Sequence, residues 1–544
     1  MAWTPSVQQD LSVDLRIALR YGMAHASYHA GRAGAVGLSA IRSKGWRTVF
    51  LMERWHFTSL VICLYLLLTL WIGLAANRGS SKSVQGFVAG DRDFGFLVFY
   101  FVTGASVYSA FAFLGGPGWA YGRGAAAFYI LTYGALGMAP WYWIGPRVAD
   151  LGRRLGFVTQ AQLIVGRFPS RFLSMLIAIL TLGAFIPYIT LQMRGAGIVI
   201  EAATEGHVPL ALGAALAYGI VIIYVFNSGV MAVGWTNTFQ GVFMLVIAWT
   251  LGIYLPFRLY GGIAPMFERI ATERPELLTV PGLAANGQPW TWGGYSTAVL
   301  VSIIGLQMWP HLFMKAFTAK NDDIIRKTAV LFPTFQLFLV PVFLIGFAGV
   351  LFPEEPPTAD FILPFMILRT DLPALVIGLF CAGALSASMS TGDALLHGAA
   401  SVAVEDGIQL FFPLTDRQKL ILMRGLILMV GAIAYVFALD EQGSLVGLLL
   451  GSYGIICQFA PTVLVALYSR RTTTAGALFG LLAGSITAVF FFMNDGLRPL
   501  DLHEGILGLL VHIPVLILVS WATPPQSAEH VSGFLENRSP EGSI

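Results

Sequence analysis

The sequence predicts an all-α polytopic membrane protein of about thirteen transmembrane helices, and three observations carry that class. Of 544 residues, 56% are hydrophobic and only 11% are charged, against about 25% charged in an ordinary soluble domain. Mean hydropathy is +0.73. Apolar segments recur from residue 56 to residue 522, each near the roughly 20 residues a helix needs to cross a bilayer. The runs are continuous rather than alternating, which excludes a β-barrel. The net charge of +3 says little about partners, because most of it falls in loops; the lipid bilayer is the surrounding partner, and neither nucleic acid nor an obligate protein partner is expected. Cys63, Cys381 and Cys457 all lie within spans, which suggests neither a disulfide framework nor a thiolate metal site. No aqueous segment carries a nucleophile–base pair, a His/Asp metal cluster or a phosphate loop, so an enzyme is not expected.

In chain order the spans lie near 56–76, 95–116, 125–146, 171–200, 209–226 and 231–257, each an apolar run flanked by polar or glycine-rich residues. The second is interrupted by Gly104 and closed by Gly115-Gly-Pro-Gly118. After a long polar loop, spans resume near 292–313, 329–352, 371–402, 418–439, 442–468, 474–493 and 503–522. Residues 1–55 read as an N-terminal extension, 56–523 as the transmembrane domain, and 524–544 as a disordered cytoplasmic tail rich in Pro, Ser and Glu.

Lys and Arg in short loops set the orientation. Arg147, Arg153, Arg154, Arg167 and Arg171 share one loop region, and Lys315, Lys320, Arg326 and Lys327 another. Arg417 and Lys419, then Arg470 and Arg471, continue the series, while the alternating loops carry little beyond Arg123, Arg369, Arg498 and three arginines in 258–290. With an odd span count this puts the C-terminus in the cytoplasm and the N-terminus outside. Arg16, Arg20, Arg32, Arg42, Lys44 and Arg47 would then sit on the wrong side, and no apolar run before residue 56 makes them a signal peptide. Two readings remain: translation begins at Met52, or the extension is an amphipathic segment on the membrane surface.

Two spans are broken in a related way. One contains Thr103-Gly-Ala-Ser-Val-Tyr-Ser109 and the other Gly305-Leu-Gln-Met-Trp-Pro310-His, with four spans between them. Broken spans at corresponding positions of two five-helix halves point to an inverted-repeat secondary transporter with its site near mid-membrane. Unwound backbone is tolerated there only where it lines a cavity. A third feature is the hydroxyl-rich run Phe380-Cys-Ala-Gly-Ala-Leu-Ser-Ala-Ser-Met-Ser-Thr-Gly-Asp393 inside an apolar span. On a helix, Ala387, Ser390 and Thr391 fall at i, i+3 and i+4, one face. Two hydroxyls and a carbonyl there suit a hard, weakly charged cation. Such hydroxyls also bond back to the preceding turn or glue one helix to another, and spacing leaves both readings open.

These pieces, with others in order, resemble the sodium:solute symporter family over roughly residues 56–523. The resemblance rests on Phe87-Val-Ala-Gly-Asp-Arg-Asp-Phe-Gly95, Gly104-Ala-Ser-Val-Tyr-Ser-Ala-Phe-Ala-Phe-Leu-Gly-Gly-Pro-Gly118 and Gly229-Val-Met-Ala-Val-Gly-Trp-Thr-Asn-Thr-Phe-Gln240. It continues through Trp309-Pro-His-Leu-Phe313, Met389-Ser-Thr-Gly-Asp393 with Asp406, and Phe459-Ala-Pro461 with Gly476. It implies a leucine-transporter-type fold: one extra N-terminal helix, two inverted five-helix repeats, and peripheral C-terminal helices. It also implies a sodium site, with Na+ as coupling ion, made by the carbonyls of Ala105, Tyr108 and Ala387 and the hydroxyls of Ser390 and Thr391. Many members carry Asp where this chain has Asn237, and an amide cannot neutralise a cation, so one coupling sodium is expected rather than two.

For the solute, Arg194 is the strong intramembrane candidate for a carboxylate, because guanidinium grips it bidentately; a snorkelling arginine or an ion pair with Glu201 or Asp393 is the alternative. Ser106, Gln307, Trp309 and Gln458 are further candidate contacts, with Tyr188 as a second wall. His311 and His397 could sense protons or serve as packing residues. Val107, Ser302 and Leu306 depart from the family's proline branch, which argues against proline. Ile186-Pro-Tyr-Ile-Thr-Leu-Gln192 looks like the monocarboxylate branch and Leu114-Gly-Gly-Pro-Gly-Trp-Ala-Tyr121 like the pantothenate branch. The expectation is sodium-coupled uptake of a small, monocarboxylate-like solute across the bacterial plasma (inner) membrane. A proton-coupled porter of the same fold and a membrane sensor are the alternatives; the chain runs about twenty residues past its last span, which leaves no room for a signalling kinase.

Overall fold

The computed structural model describes residues 53–76, 83–440 and 445–535, without the side chains of 445–450. The N-terminal extension and the candidate start at Met52 lie outside the described residues. All regular structure among the described residues is helical. The helices that build the site are α1 (Arg54–Ala75), α2 (Phe96–Val107), α3 (Gly116–Arg123), α4 (Arg171–Ala203), α5 (Leu210–Tyr260), α6 (Trp292–Leu306) and α7 (Ala374–Val402). Several carry apolar side chains on their outer faces, among them Leu64, Trp71, Phe172, Ile179, Trp235 and Leu375, all exposed. Exposed apolar surface of that kind fits a lipid environment, where nothing penalises it.

By length and composition, nine described helices can cross a membrane, or up to eleven if each of two bent pairs is one span. The difference from the expected thirteen has a local cause. Residues 95–116 and 125–146 join in the bent pair Phe96–Val107 with Phe111–Gly137, and 209–226 and 231–257 join in α5. Helix α5 has 51 residues; straight, it would run about 75 Å, more than twice the hydrocarbon thickness. It is not straight. Gly229 interrupts it at φ 54°, ψ −140°, and a Cβ there would meet the Phe87 carbonyl oxygen at 2.5 Å. Only glycine takes that conformation and that approach without strain.

Helix α7 is the centre of the molecule. It starts after Pro373, and every residue from Phe380 to Val402 is buried. It packs against α5, α4, α1 and α2. Small residues allow this closeness: a Cβ on Gly392 would lie 2.2 Å from the Tyr218 hydroxyl oxygen. The tail departs from expectation. Ala528–Leu535 forms a helix with Val531 and Phe534 buried, because that apolar pair lies three residues apart on one face. Gln526 beside it hydrogen-bonds Arg167, its Nε2 donating to the Arg167 carbonyl at 3.0 Å.

Candidate functional site

The first bend, 58°, separates Phe96–Val107 from Phe111–Gly137. Tyr108, just past the last turn of α2, is extended at φ −87°, ψ 97°. The interruption leaves helical carbonyls of α2 without their usual donors, and α7 supplies substitutes. The Ser390 hydroxyl donates to the Ala105 carbonyl at 2.9 Å, with Ala387 O at 3.3 Å, and the Thr391 hydroxyl donates to Ser106 O at 3.2 Å. Ala105, Ser106, Ala387, Ser390 and Thr391 are all 0% exposed. From α5, Asn237 Nδ2 donates to Ser106 Oγ at 3.0 Å and to Ser390 O at 2.8 Å.

Of the five residues expected to hold a cation, the structure thus brings Ala105, Ala387, Ser390 and Thr391 together. Tyr108 follows them in the break and stacks its ring on Phe335 with centroids 5.2 Å apart. Each hydroxyl still has lone pairs after donating its single hydrogen. The set is neutral and all oxygen, which fits a monovalent hard cation and not a transition metal. Ser106, a candidate for solute contact, belongs to this oxygen cluster instead, through both its carbonyl and its hydroxyl.

Two polar residues that hold the site together were not singled out from sequence. Gln192 of α4 accepts from the Ala110 N–H at 2.8 Å, replacing a partner lost at the break, and its own carbonyl accepts from the Ser388 hydroxyl at 2.7 Å. Tyr65 of α1 accepts from Gln240 Nε2 at 2.9 Å and from the Ser386 hydroxyl at 3.0 Å. A buried glutamine inside an apolar run was the available signal in each neighbourhood. Asp393 accepts from the Tyr224 hydroxyl at 2.9 Å and from Thr236 Oγ1 at 3.2 Å, residues on either side of Gly229. Lys315, counted among loop charges, is in fact 4% exposed. The tight turn Met314–Thr318, which follows the short helix Pro310–Phe313, carries it into a small pocket beside His311 and His397.

The second bend, 45°, separates Trp292–Leu306 from Pro310–Thr318. Its lining is aromatic. Trp309 lies 5.0 Å from Tyr188, 5.5 Å from Tyr453 and 6.1 Å from Phe185, centroid to centroid. Gln307 directs its amide to Met138 Sδ at 2.8 Å. The Tyr108 hydroxyl is buried without a hydrogen-bond partner, while Trp309 Nε1 and the His311 ring, both buried, face the Tyr453 hydroxyl and the Ser106 backbone. Gln458 is elsewhere: its Nε2 donates to the carbonyls of Gly505 at 2.9 Å and Gly454 at 3.2 Å, a helix–helix contact rather than part of this wall.

Arg194 lies further along α4, six residues beyond Tyr188 and so about 9 Å up the helix axis. It lines a cavity of about 520 Å³ with Trp119, Arg123, Thr358 and Asp360. The structure therefore puts Arg194 and Trp309 at successive levels of α4 rather than in one pocket.

Comparison with known proteins agrees with this architecture. The model of the sodium:solute symporter family matches residues 87–484. An uncharacterized symporter of Bacillus subtilis (strain 168), YhjB, is 30% identical over 473 residues, covering 84% of this chain and 95% of that protein. The sodium/pantothenate symporter of Escherichia coli (strain K12) is 26% identical, covering 82% and 93%. The monocarboxylate transport permease protein of Rhizobium johnstonii is 24% identical, covering 86% and 97%. Among solved structures, a Na+-coupled sialic acid symporter shares the fold, with a TM-score of 0.71 at 18% identity over 87% of this chain and 99% of that one. The chain is a multi-pass membrane transporter, not an enzyme, and it belongs to the sodium:solute symporter family.

Proposed function

We propose that this chain takes up a small organic acid of monocarboxylate type together with one sodium ion, by alternating access across the bacterial plasma membrane. The observation that carries this reading is the convergence of the Ser390 and Thr391 hydroxyls on the Ala105 and Ser106 carbonyls at the first break. The proposed sodium ligands are the carbonyls of Ala105, Tyr108 and Ala387 and the two hydroxyls. No carboxylate is among them, so affinity is modest and release easy, as a coupling ion requires. Asn237 spends its amide hydrogens on the same cluster, which supports a single sodium and a Hill coefficient of about 1.

The proposed solute chamber is the aromatic wall at the second break, with Trp309 and Gln307 as contacts and Arg194 above. Its polar edges, the Trp309 Nε1 and the Gln307 amide, support an occupant with polar groups. The reading of two inverted five-helix repeats behind one extra helix, with an outside N-terminus and a cytoplasmic C-terminus, is supported by the two bent spans and the loop charges. Sodium and solute must favour the same conformation, and the coupling is reciprocal.

The test begins with thermal stability of the detergent-purified protein in sodium against potassium at equal ionic strength. A ligand specific to the folded state stabilises by about 1.4 kcal/mol at roughly tenfold Kd. Uptake of labelled acetate, pyruvate and lactate into proteoliposomes under a sodium gradient then tests the solute class. Equal stability in both salts and no sodium-driven uptake would sink the proposal. The second reading is a proton-coupled porter, favoured by the fact that Ser390 and Thr391 already satisfy their donors within the protein; uptake driven by a pH gradient alone decides for it.

A further inference from the structure

A cavity at the end of α3 and α4 lies beside the proposed solute pathway, which leaves most of it unused. Four stretches meet there: Gly118–Arg123 of α3, Arg194 and Ile198 of α4, residues 284–287, and residues 358–361. Its volume of about 520 Å³ falls within the range of about 300–1,000 Å³ in which small molecules are bound. By the loop charges, this end of α4 faces outside, since its start at Arg171 lies in the most basic loop.

The charge in this cavity is uneven. Arg123 and Arg194 contribute two guanidinium groups against the single carboxylate of Asp360. The Arg123 guanidinium stacks over the Trp119 ring, 4.1 Å from its centroid. Trp119 is 3% exposed and packs on Tyr129 with centroids 5.1 Å apart, so the platform is rigid. Stacking uses the face of the guanidinium and leaves its edge of N–H groups for a planar acceptor. The carboxylate of Asp360 is the charge that this guanidinium faces within the cavity. A guanidinium held by its face, half-buried, with its edge towards a cavity of ligand size, is a carboxylate receptor in its geometry.

We infer that Arg123, stacked on Trp119, forms with Arg194 an outer antechamber that receives the carboxylate of the solute before it descends about 9 Å along α4 to Tyr188 and Trp309. The inference rests on the organic-acid reading and adds to it a second, external docking level. It divides the work between two sites. The antechamber selects for negative charge while still open to water, and the chamber below selects for the body of the solute. A neutral amide of the same shape has no reason to pause at the first level.

The experiment compares wild type, Arg123→Gln and Arg123→Lys in proteoliposomes under a sodium gradient, with labelled pyruvate as probe and pyruvamide as neutral competitor. Arg123→Gln is expected to raise KM for pyruvate about tenfold, with a much smaller effect on maximal rate, while the inhibition constant of pyruvamide stays within twofold. Arg123→Lys keeps the charge but loses the fork and the stacking, so it recovers part of the loss and steepens the salt dependence of KM. Arg194→Gln should move KM in the same direction. Pyruvate taken up equally well by wild type and Arg123→Gln would overturn the antechamber alone. Wild type that accumulates none of acetate, pyruvate or lactate would overturn the organic-acid reading and the antechamber with it. If Arg123→Gln weakens pyruvate and pyruvamide alike, the residue acts through packing and the inference is wrong.

Discussion

The two broken spans use one backbone device and line it in opposite ways. At the first, Tyr108 leaves the helix and the carbonyls of Ala105 and Ser106 meet hydroxyls from α7 within 3.2 Å. At the second, the chain between Leu306 and Pro310 presents Trp309 to Tyr188, Tyr453 and Phe185. Small polar side chains let backbone oxygens converge to the radius of a bare monovalent ion, whereas rings hold the walls apart and offer flat apolar area with polar edges. A helix break therefore does not itself say what binds. The residues on the neighbouring helices do, and in the proposed assignment α7 serves the ion and α4 the solute.

The sharpest way to break this division is Ser390→Ala combined with Thr391→Ala. The expected outcome is complete loss of sodium stimulation of uptake and of any sodium-specific rise in Tm, in protein that still inserts and folds; unchanged sodium dependence would end the assignment. Next is Trp309→Ala, expected to destabilise by about 3–5 kcal/mol and to abolish measurable solute uptake while the sodium-specific Tm rise persists. Thermal unfolding in sodium and potassium without solute reads the two effects separately, and a lost sodium response would merge the two sites into one. A smaller effect is expected from Gln192→Leu, which strands the Ala110 N–H in the first break and costs about 1–3 kcal/mol by chemical denaturation. If the variant is as stable as wild type, Gln192 does not hold the break. The smallest is Gln458→Leu. It removes two donated hydrogen bonds at a helix interface, costs about 1 kcal/mol, and moves the solute KM by less than twofold; a large rise in KM would return Gln458 to the solute chamber.

Much of this was legible along the chain, and the reasons are physical. Apolar runs announce membrane helices because the bilayer imposes one length on all of them. Pro310 marks the second break because it cannot continue helix hydrogen bonding, and Gly104 and Gly305 lie beside the breaks where the Phe335 and Tyr453 rings approach too closely for a Cβ. The face shared by Ala387, Ser390 and Thr391 follows from helical periodicity alone. What periodicity could not supply is the far partner of each group. Ser106 looked like a pocket-lining serine, yet it bonds Asn237 and Thr391, which are 131 and 285 residues away. Gln458 looked like a chamber residue because a polar amide inside an apolar span near the expected cavity suits a solute contact, but its amide turns to the Gly505 carbonyl on a neighbouring helix. Lys315 read as a loop charge because nothing in 310–318 signals that this short turn folds inward against α7. The tail from 528 read as disorder because its apolar pair is too small to show in composition.

Class, the positions of both breaks and the hydroxyl face are local properties, carried by hydropathy, helix-breaking residues and a period of 3.6. The division of Arg194 from Trp309, the capture of Ser106 by the oxygen cluster and the cavity where Arg123 stacks on Trp119 are not local. Each depends on which helices pack side by side and at what level, which the close approach of small residues on α7 and the turn at Gly229 in α5 set. Contacts between residues a hundred or more positions apart exist only once those helices are in place, and so no reading along one dimension could have specified them.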